Sequence, residues 1–428
     1  MIENKTAFLI IILSLFILSN TGYIRGETKS PANDPFSQTK FMPGISFILD
    51  FSYVNRNIEN EIYEALEIPG IGSIQPHGNE KKGFNFNYGE LVLSSSVDPY
   101  FDLLAVFHIS QEEFEVEEAY ASTRRLPFGF KAKFGKFKSG FGRINEQHAH
   151  SWNFSDAPLI YRALFGEEGF QELGVQLKWV APTPFFLSFG VESLQGENES
   201  SFGTHGFDLI DIETQDELKI KSTPLPNAWT FFGKTSIDIQ NWVILAGVSC
   251  VVGKYRSEAS ENQEITSFNA GNTRIFGIDF TTRYIIDSYR YIVFQAEYLH
   301  RKMNGTRYDS TNILEDIPGN VVTPISFYRK QSGGYAQLVY RFQRFWRIGA
   351  NWDFLCRNRE YIESFENINP EKLNRYSFML DYNPTEFSRI RIQYTIDNAS
   401  YLDGQRQNYH GFSMQFNLAI GAHGAHAF

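Results

Sequence analysis

The sequence predicts an all-β protein, a transmembrane antiparallel β-barrel of about sixteen strands with long outer loops and short periplasmic turns. Aromatic residues make up 16% of the 428 positions, including 40 Phe and 22 Tyr. Mean hydropathy is nevertheless −0.30. That combination arises when lipid-facing and water-facing residues alternate along each strand. After residue 20 no run of about 18 apolar residues occurs, which excludes helical spans. Segments of period-two alternation recur to the end of the chain, joined by connections that are by turns short and long.

Taken in order, Ile45, Phe47, Leu49, Phe51 and Tyr53 alternate with Ser46, Asp50 and Ser52, and Phe84, Phe86 and Tyr88 follow a long loop. Asp98-Pro99 turns the chain into Phe101, Leu103, Ala105, Phe107 and Ile109, opposed by Asp102, His108 and Ser110. Phe114 to Arg124 is less cleanly phased, which predicts a bulge near Glu117 and Glu118. Leu126-Pro127 leads to Phe130, Ala132 and Phe134 against Lys131 and Lys133. After a long insertion come Leu173 to Trp179 and, past Ala181-Pro-Thr-Pro184, Phe185 to Val191.

Beyond the loop 193–227, Trp229 to Ile237 turns at Gln240-Asn241 into Trp242 to Val252. Phe276 to Tyr284 turns at Asp287-Ser288 into Ile292 to Tyr298. Ala336 to Phe342 turns near Gln343 into Trp346 to Phe354. Tyr376 to Tyr382 turns at Asn383-Pro384-Thr385 into Ile390 to Ile396, and Phe412 to Leu418 is the last strand. The short connections all fall on one rim. The long ones, near 55–82, 138–170, 193–227, 254–271, 303–332, 356–373 and 398–408, face outward.

The non-lipid face carries charge of both signs, with Lys131, Lys133, Lys178, Arg341, Arg347, Asp353 and Arg391 among its members. Charges cannot sit opposite lipid, so these line the lumen wall, and sixteen strands enclose a channel wide enough for water. Trp179, Trp229, Trp242 and Trp346 at strand ends fit aromatic girdles at the membrane surfaces.

The domain plan is a leader over 1–26, a periplasmic lead-in over 27–40 and a barrel over 41–428 with an inward loop at 138–170. Lys5 precedes a twelve-residue apolar run from Ala7 to Leu18, too short to span, followed by small and polar residues with cleavage sites near Gly22 or Gly26. Export to the outer membrane follows. Cys250 and Cys356 have no catalytic neighbourhood. A net charge of −10, with no basic face, argues against nucleic acid as a partner. No nucleophile elbow, P-loop or dinucleotide fingerprint occurs in a strand-turn-helix context, so an enzyme is not expected.

Several stretches carry a resemblance. GFNFNYGELVLSSSVDPYFD (83–102), VEEAYASTR (116–124), FGKFKSGFGRINEQHAHSWNF (134–154), LIYRALFGEEGFQELGVQLKW (159–179) and the terminal GAHGAHAF (421–428) resemble bacterial outer-membrane proteins of the porin superfamily that includes phosphate-selective porins. Within it they are most similar to a subgroup labelled zinc-regulated TonB-dependent outer-membrane receptors. The resemblance implies sixteen strands, a homotrimer and a third outer loop folded into the pore. It also implies that Phe428, in the parity of Phe416 and Leu418, is the assembly signal read by the barrel assembly machinery.

Counting strands makes the insertion after Phe137 that third loop, and its aromatic and charged content then has the lumen to fold into. Lys136, Lys138, Arg143, Asp156, Arg162, Glu167 and Glu168 are the expected pore constriction, where opposed charges set a transverse field and an ion preference. The alternative for each is an ion pair that only holds the loop down. His148 and His150, with His423 and His426, are the candidate metal ligands; a zinc site needs three or four converging donors, and H-x-H supplies two. No cofactor is expected otherwise. The functional expectation is a porin-like channel for passive diffusion of small hydrophilic solutes or ions, embedded in outer-membrane lipid. The alternatives are a gated transporter for a specific substrate or metal ion, zinc-linked, and a closed structural barrel.

Overall fold

Sixteen strands hydrogen-bond edge to edge and close on themselves in the computed structural model, which describes residues 43–69, 72–73, 81–198, 200–211, 217–261, 264–310, 320–363, 365–368, 370 and 373–421. The expected leader and lead-in, His423, His426 and Phe428 lie outside the described residues. In order the strands are β1 (Gly44–Arg56), β2 (Gly83–Ser96), β3 (Phe101–Ile109), β4 (Phe114–Thr123), β5 (Phe130–Lys138), β6 (Gln171–Val180), β7 (Phe186–Leu194) and β8 (Ala228–Ile239). They continue as β9 (Trp242–Glu261), β10 (Glu264–Ile285), β11 (Tyr291–Ser310), β12 (Asn320–Gln343), β13 (Trp346–Leu355), β14 (Leu373–Thr385), β15 (Ser388–Asp397) and β16 (Tyr409–Gly421). Each pairs antiparallel with its sequence neighbours. The first and last strands close the cylinder, from Ser46 opposite Gly421 to Arg56 opposite Gly411. Closure leaves the barrel without a free edge, a requirement for backbone amides placed in hydrocarbon.

The predicted alternation sorts the two faces. Along β10, Phe276, Ile278 and Phe280 are 48%, 46% and 40% exposed, whereas Asp279 between them is 7% exposed. Large apolar side chains face out all around the cylinder, at Phe134, Leu177, Phe189, Phe231, Leu338, Ile348, Phe378 and Leu418 among others. A surface of that kind is stable only against lipid. Polar side chains such as Asp50, Glu192, Glu297, Asp353, Asp381 and Arg391 are buried inside. The barrel therefore has the surface of one embedded in a membrane.

Local chemistry sets the turns. Asp98 accepts from the Tyr100 and Phe101 amides at 2.7 and 2.8 Å, and Asp287 does the same for Tyr289 and Arg290 at 2.9 and 2.8 Å. The bulge near Glu117 is present: Val106 pairs with Glu118 and Phe107 with Val116, which leaves Glu117 unopposed. Asn383-Pro384 is not the turn expected there. β14 continues to Thr385, its register slipping between Tyr382 and Thr385, where a proline without an amide hydrogen is tolerated.

Two expected outer loops are also largely strand. β9 and β10 stay paired as far as Glu261 opposite Glu264, and β11 and β12 from Asp309 opposite Thr323 inward. Beyond the bilayer both faces of a hairpin meet water, so the backbone ladder continues without the apolar alternation that marks a membrane strand. The connection Ser110–Glu113 lies on the loop rim yet is a tight turn, closed by the Ser110 amide on the Glu113 carbonyl at 2.9 Å.

Of the two short α-helices among the described residues, α1 (Asn60–Glu64) lies in the first outer loop and α2 (Leu159–Phe165) in the third. All of α2 except Arg162 is buried. Phe137, Phe141, Ile144, Ile160, Leu164, Phe165 and Phe170 form one apolar cluster with inward residues of the far wall, including Val251, Ile275, Leu299 and Leu355. The third loop therefore fills part of the lumen. Replacing Ile278 with Arg puts a charge on the lipid face and is expected to cost about 2–4 kcal/mol in folding into bilayers. An unchanged urea midpoint would contradict the assigned face.

Candidate functional site

The lumen-filling loop 139–170 is held to the wall through its own backbone. A segment folded inside a barrel carries amides and carbonyls that must be bonded, because each buried orphan costs about 1–3 kcal/mol. Wall carboxylates accept the amides at the start of the loop. Glu118 takes Lys138 N at 2.8 Å, Glu192 takes Gly140 N at 2.8 Å and the Ser139 hydroxyl, and Glu297 takes Arg143 N at 2.9 Å and Ile144 N at 2.8 Å. Glu297 also accepts from the hydroxyls of Tyr161 at 2.8 Å and Tyr335. Gly142 sits at φ +67°, and a Cβ there would lie 2.0 Å from the Tyr161 hydroxyl and 2.6 Å from Glu297 Oε2. Only glycine lets the backbone approach this carboxylate.

Wall cations hold the carbonyls. Lys234 donates to Gly142 O at 2.7 Å, Arg389 to His150 O at 2.7 Å, Arg391 to Trp152 O at 2.8 Å and Arg375 to Ala157 O at 2.7 Å. Asn145 ties the neck of the loop, donating to Ser139 O at 2.8 Å and Phe170 O at 2.9 Å and accepting Phe170 N at 2.7 Å. Glu146 is paired with Lys234 at 2.6 Å. Burial alone would raise its pKa; the ammonium outweighs that and lowers it.

The residues expected at a constriction do not form one ring. Lys138 is buried in an ion pair with Glu117 at 2.9 Å, and Arg162 is paired with Glu167. Asp156 accepts from Gln393 at 2.9 Å, and Glu168 from Gln171 at 2.5 Å. These line a cavity of about 380 Å³ at the loop end, together with Asp50, Glu90, Glu112, Glu113 and Glu115. Arg143 lies on the other side of the loop, on a cavity of about 1170 Å³ at the turn end. Lys136 needs correction: it sits opposite Leu173, an exposed lipid-face residue, and its ammonium caps the Val116 carbonyl at 2.7 Å. Strand parity places it on the outer face near the rim, away from the water path.

The lumen-wall residues keep their face. Arg391 and Arg347 flank Asp381, with Arg391 Nε 2.9 Å from it, and Asp353 pairs with Arg375 at 3.1 Å. Lys133 lies 4.5 Å above the Tyr120 ring and Lys178 6.0 Å above that of Phe186, while Lys131 is exposed. The turn-end cavity carries Arg143, Arg283, Arg341, Arg344, Arg347 and Arg389, with Glu386 the lone carboxylate of that lining among the described residues. The two vestibules are thus acidic outside and basic inside.

His148 and His150 stack at 5.7 Å between centroids over a patch of wall carboxylates. His148 Nε2 meets Glu118 at 3.0 Å, and His150 Nδ1 meets Glu90 at 3.0 Å. Burial alone would lower the His148 pKa; the carboxylates of Glu117 and Glu118 outweigh it and carry it up to about 10. Glu90, Glu192 and Glu297 were not singled out in the sequence as sites. Their signal is a lone carboxylate at an inward position of a well-phased strand.

A protein of Aquifex aeolicus (strain VF5) described as an uncharacterized protein is 46% identical over 400 residues, covering 92% of this chain and 81% of that protein. The chain belongs to that protein's family. No family model matches the chain. Among solved structures, outer-membrane expressed OmpT of Vibrio cholerae superposes with a TM-score of 0.50 at 8% identity, covering 88% of this chain and 97% of that one. The loop L8 deletion mutant of OmpT gives 0.50 at 10% identity, with 88% and 99% covered. At such identity the likeness shows the fold, which is that of an outer-membrane porin-type barrel.

Replacing Glu297 with Ala leaves two loop amides and two tyrosine hydroxyls without their acceptor, at about 1–3 kcal/mol for each that stays buried and unpaired. Limited proteolysis is expected to cut within 139–170 while the barrel keeps its heat-modifiable gel shift. Equal protease resistance of wild type and variant would remove Glu297 as the clamp.

Proposed function

We propose that the chain is a channel for passive diffusion of small hydrophilic solutes or ions across the outer membrane, and not an enzyme. The observation that carries this reading is the placement of the third loop: it divides the lumen into two water-accessible vestibules of opposite charge. The wall clamps fix the loop in place, so its edge acts as a preformed constriction. Asp156, Arg162, Glu167 and Glu168 face it from outside and Arg143 from inside. Such a segregated field favours cations on entry and concentrates anions at the exit.

The resemblance to zinc-regulated TonB-dependent receptors adds nothing to this mechanism. Transporters of that class use 22 strands and a plugged lumen, and sixteen strands favour diffusion over energy-coupled uptake. Export by the leader, recognition of Phe428 by the assembly machinery and association as a homotrimer belong to the same proposal.

Purified, folded protein in planar bilayers is expected to give stepwise single-channel currents; an absence of conductance would end the channel reading. Under a salt gradient, Arg341→Gln with Arg344→Gln is expected to move the reversal potential toward cation preference. An unmoved potential would take the arginine vestibule out of the conduction path.

A further inference from the structure

We infer that His148, Glu117 and Glu90 form a binding site for one divalent transition-metal ion of the zinc type, opening on the outer vestibule. The histidine comes from the third loop, Glu117 from the bulge in β4 and Glu90 from β2. His148 Nδ1 lies 3.4 Å from Glu117 Oε2 and 3.6 Å from Glu90 Oε2, and the three donor atoms all fall within 4.8 Å of one another. Ligands about 2.0–2.2 Å from a tetrahedral zinc ion stand about 3.3–3.6 Å apart, so this triangle needs little adjustment to take one.

A second observation concerns the hydrogen bonding of these atoms. His148 Nδ1 and Glu117 Oε2 are both shielded from solvent and, 3.4 Å apart, form an ion pair in which neither atom makes a well-formed hydrogen bond. Buried polar atoms are ordinarily hydrogen-bonded, and two such atoms held at this separation are spaced to share one ion. The other ring nitrogen of His148 and the other oxygen of Glu117 are already engaged. His148 Nε2 is held by Glu118 at 3.0 Å, the carboxylate–histidine arrangement that orients a metal-bound imidazole. Glu117 Oε1 is held by Lys138 Nζ at 2.9 Å, and Glu90 Oε2, the third donor, is oriented by His150 Nδ1 at 3.0 Å.

Charge points the same way. Glu90, Glu117 and Glu118 gather three carboxylates around the Lys138 ammonium and the His148 ring, a negative setting that a divalent ion displacing the imidazole proton would enter. An imidazole nitrogen among the donors favours zinc-like ions over magnesium and calcium, which prefer all-oxygen cages. Glu117 and Glu90 both line the outer cavity, so an ion reaches the site from outside, with the fourth position left for water or a solute. The bulge has a role in this: by leaving Glu117 unopposed in the ladder it places two successive glutamates on the same histidine. The inference stands whether or not the barrel conducts.

The test is calorimetric titration of chelator-stripped, folded full-length protein with zinc chloride. One equivalent is expected to bind, about tenfold or more weakly in Glu117→Gln and Glu118→Gln, the latter keeping an oxygen for the Lys138 amide while removing the carboxylate that orients the histidine. His410→Ala, at a histidine bonded to Tyr394 on the lipid face, is expected to bind as wild type. Cobalt absorption on the wild-type protein gives a readout independent of any variant: intense visible bands of a tetrahedral site with a nitrogen donor are expected. An absence of zinc uptake, equal affinity in wild type and Glu117→Gln, or calcium binding as tight as zinc would each overturn the assignment.

Discussion

A sixteen-stranded cylinder encloses more space than its inward side chains fill, and whatever occupies that space must have its backbone hydrogen-bonded. The decisive interaction is the set of charged hydrogen bonds between wall side chains and the main chain of the third loop. Carboxylates at Glu118, Glu192 and Glu297 receive the amides of the descending segment. Lys234, Arg389, Arg391 and Arg375 donate to the carbonyls of Gly142, His150, Trp152 and Ala157. Charge-assisted bonds of this kind are about twice as strong as neutral ones, and they recognise backbone, so the loop is positioned independently of much of its side-chain identity.

The apolar half of the loop then has a defined wall to meet. Phe141 lies against Gly277, Ile160 against Gly333 and Phe154 against Gly349, places where a Cβ would come within about 3 Å of the incoming side chain. Polar clamps set the register and these apolar contacts supply burial. The consequence for function is a partition of fixed height. The acidic vestibule lies above it and the arginine-rich one below.

The histidine cluster follows from the same architecture. His148 reaches Glu117 and Glu118 only because the loop is clamped, and the two glutamates share a side only because β4 is bulged. A loop feature and a strand irregularity that look unrelated in the sequence become a single constellation.

Alternation alone determined the strand number, the lipid and lumen faces and the identity of the third loop, since a period of two is imposed on every residue by the bilayer. It also exposed the bulge, as a break in that period. It did not determine where strands end beyond the membrane, because a hairpin in water is held by backbone bonds that leave no pattern in side-chain type. Nor did it place Lys136, whose charge suggested water although its parity turns it outward. The pairing of His148 with Glu90 and Glu117, and of the loop amides with Glu297, was decided by tertiary structure alone: the partners lie on different strands up to 154 residues apart, and only closure of the barrel brings them within bonding distance.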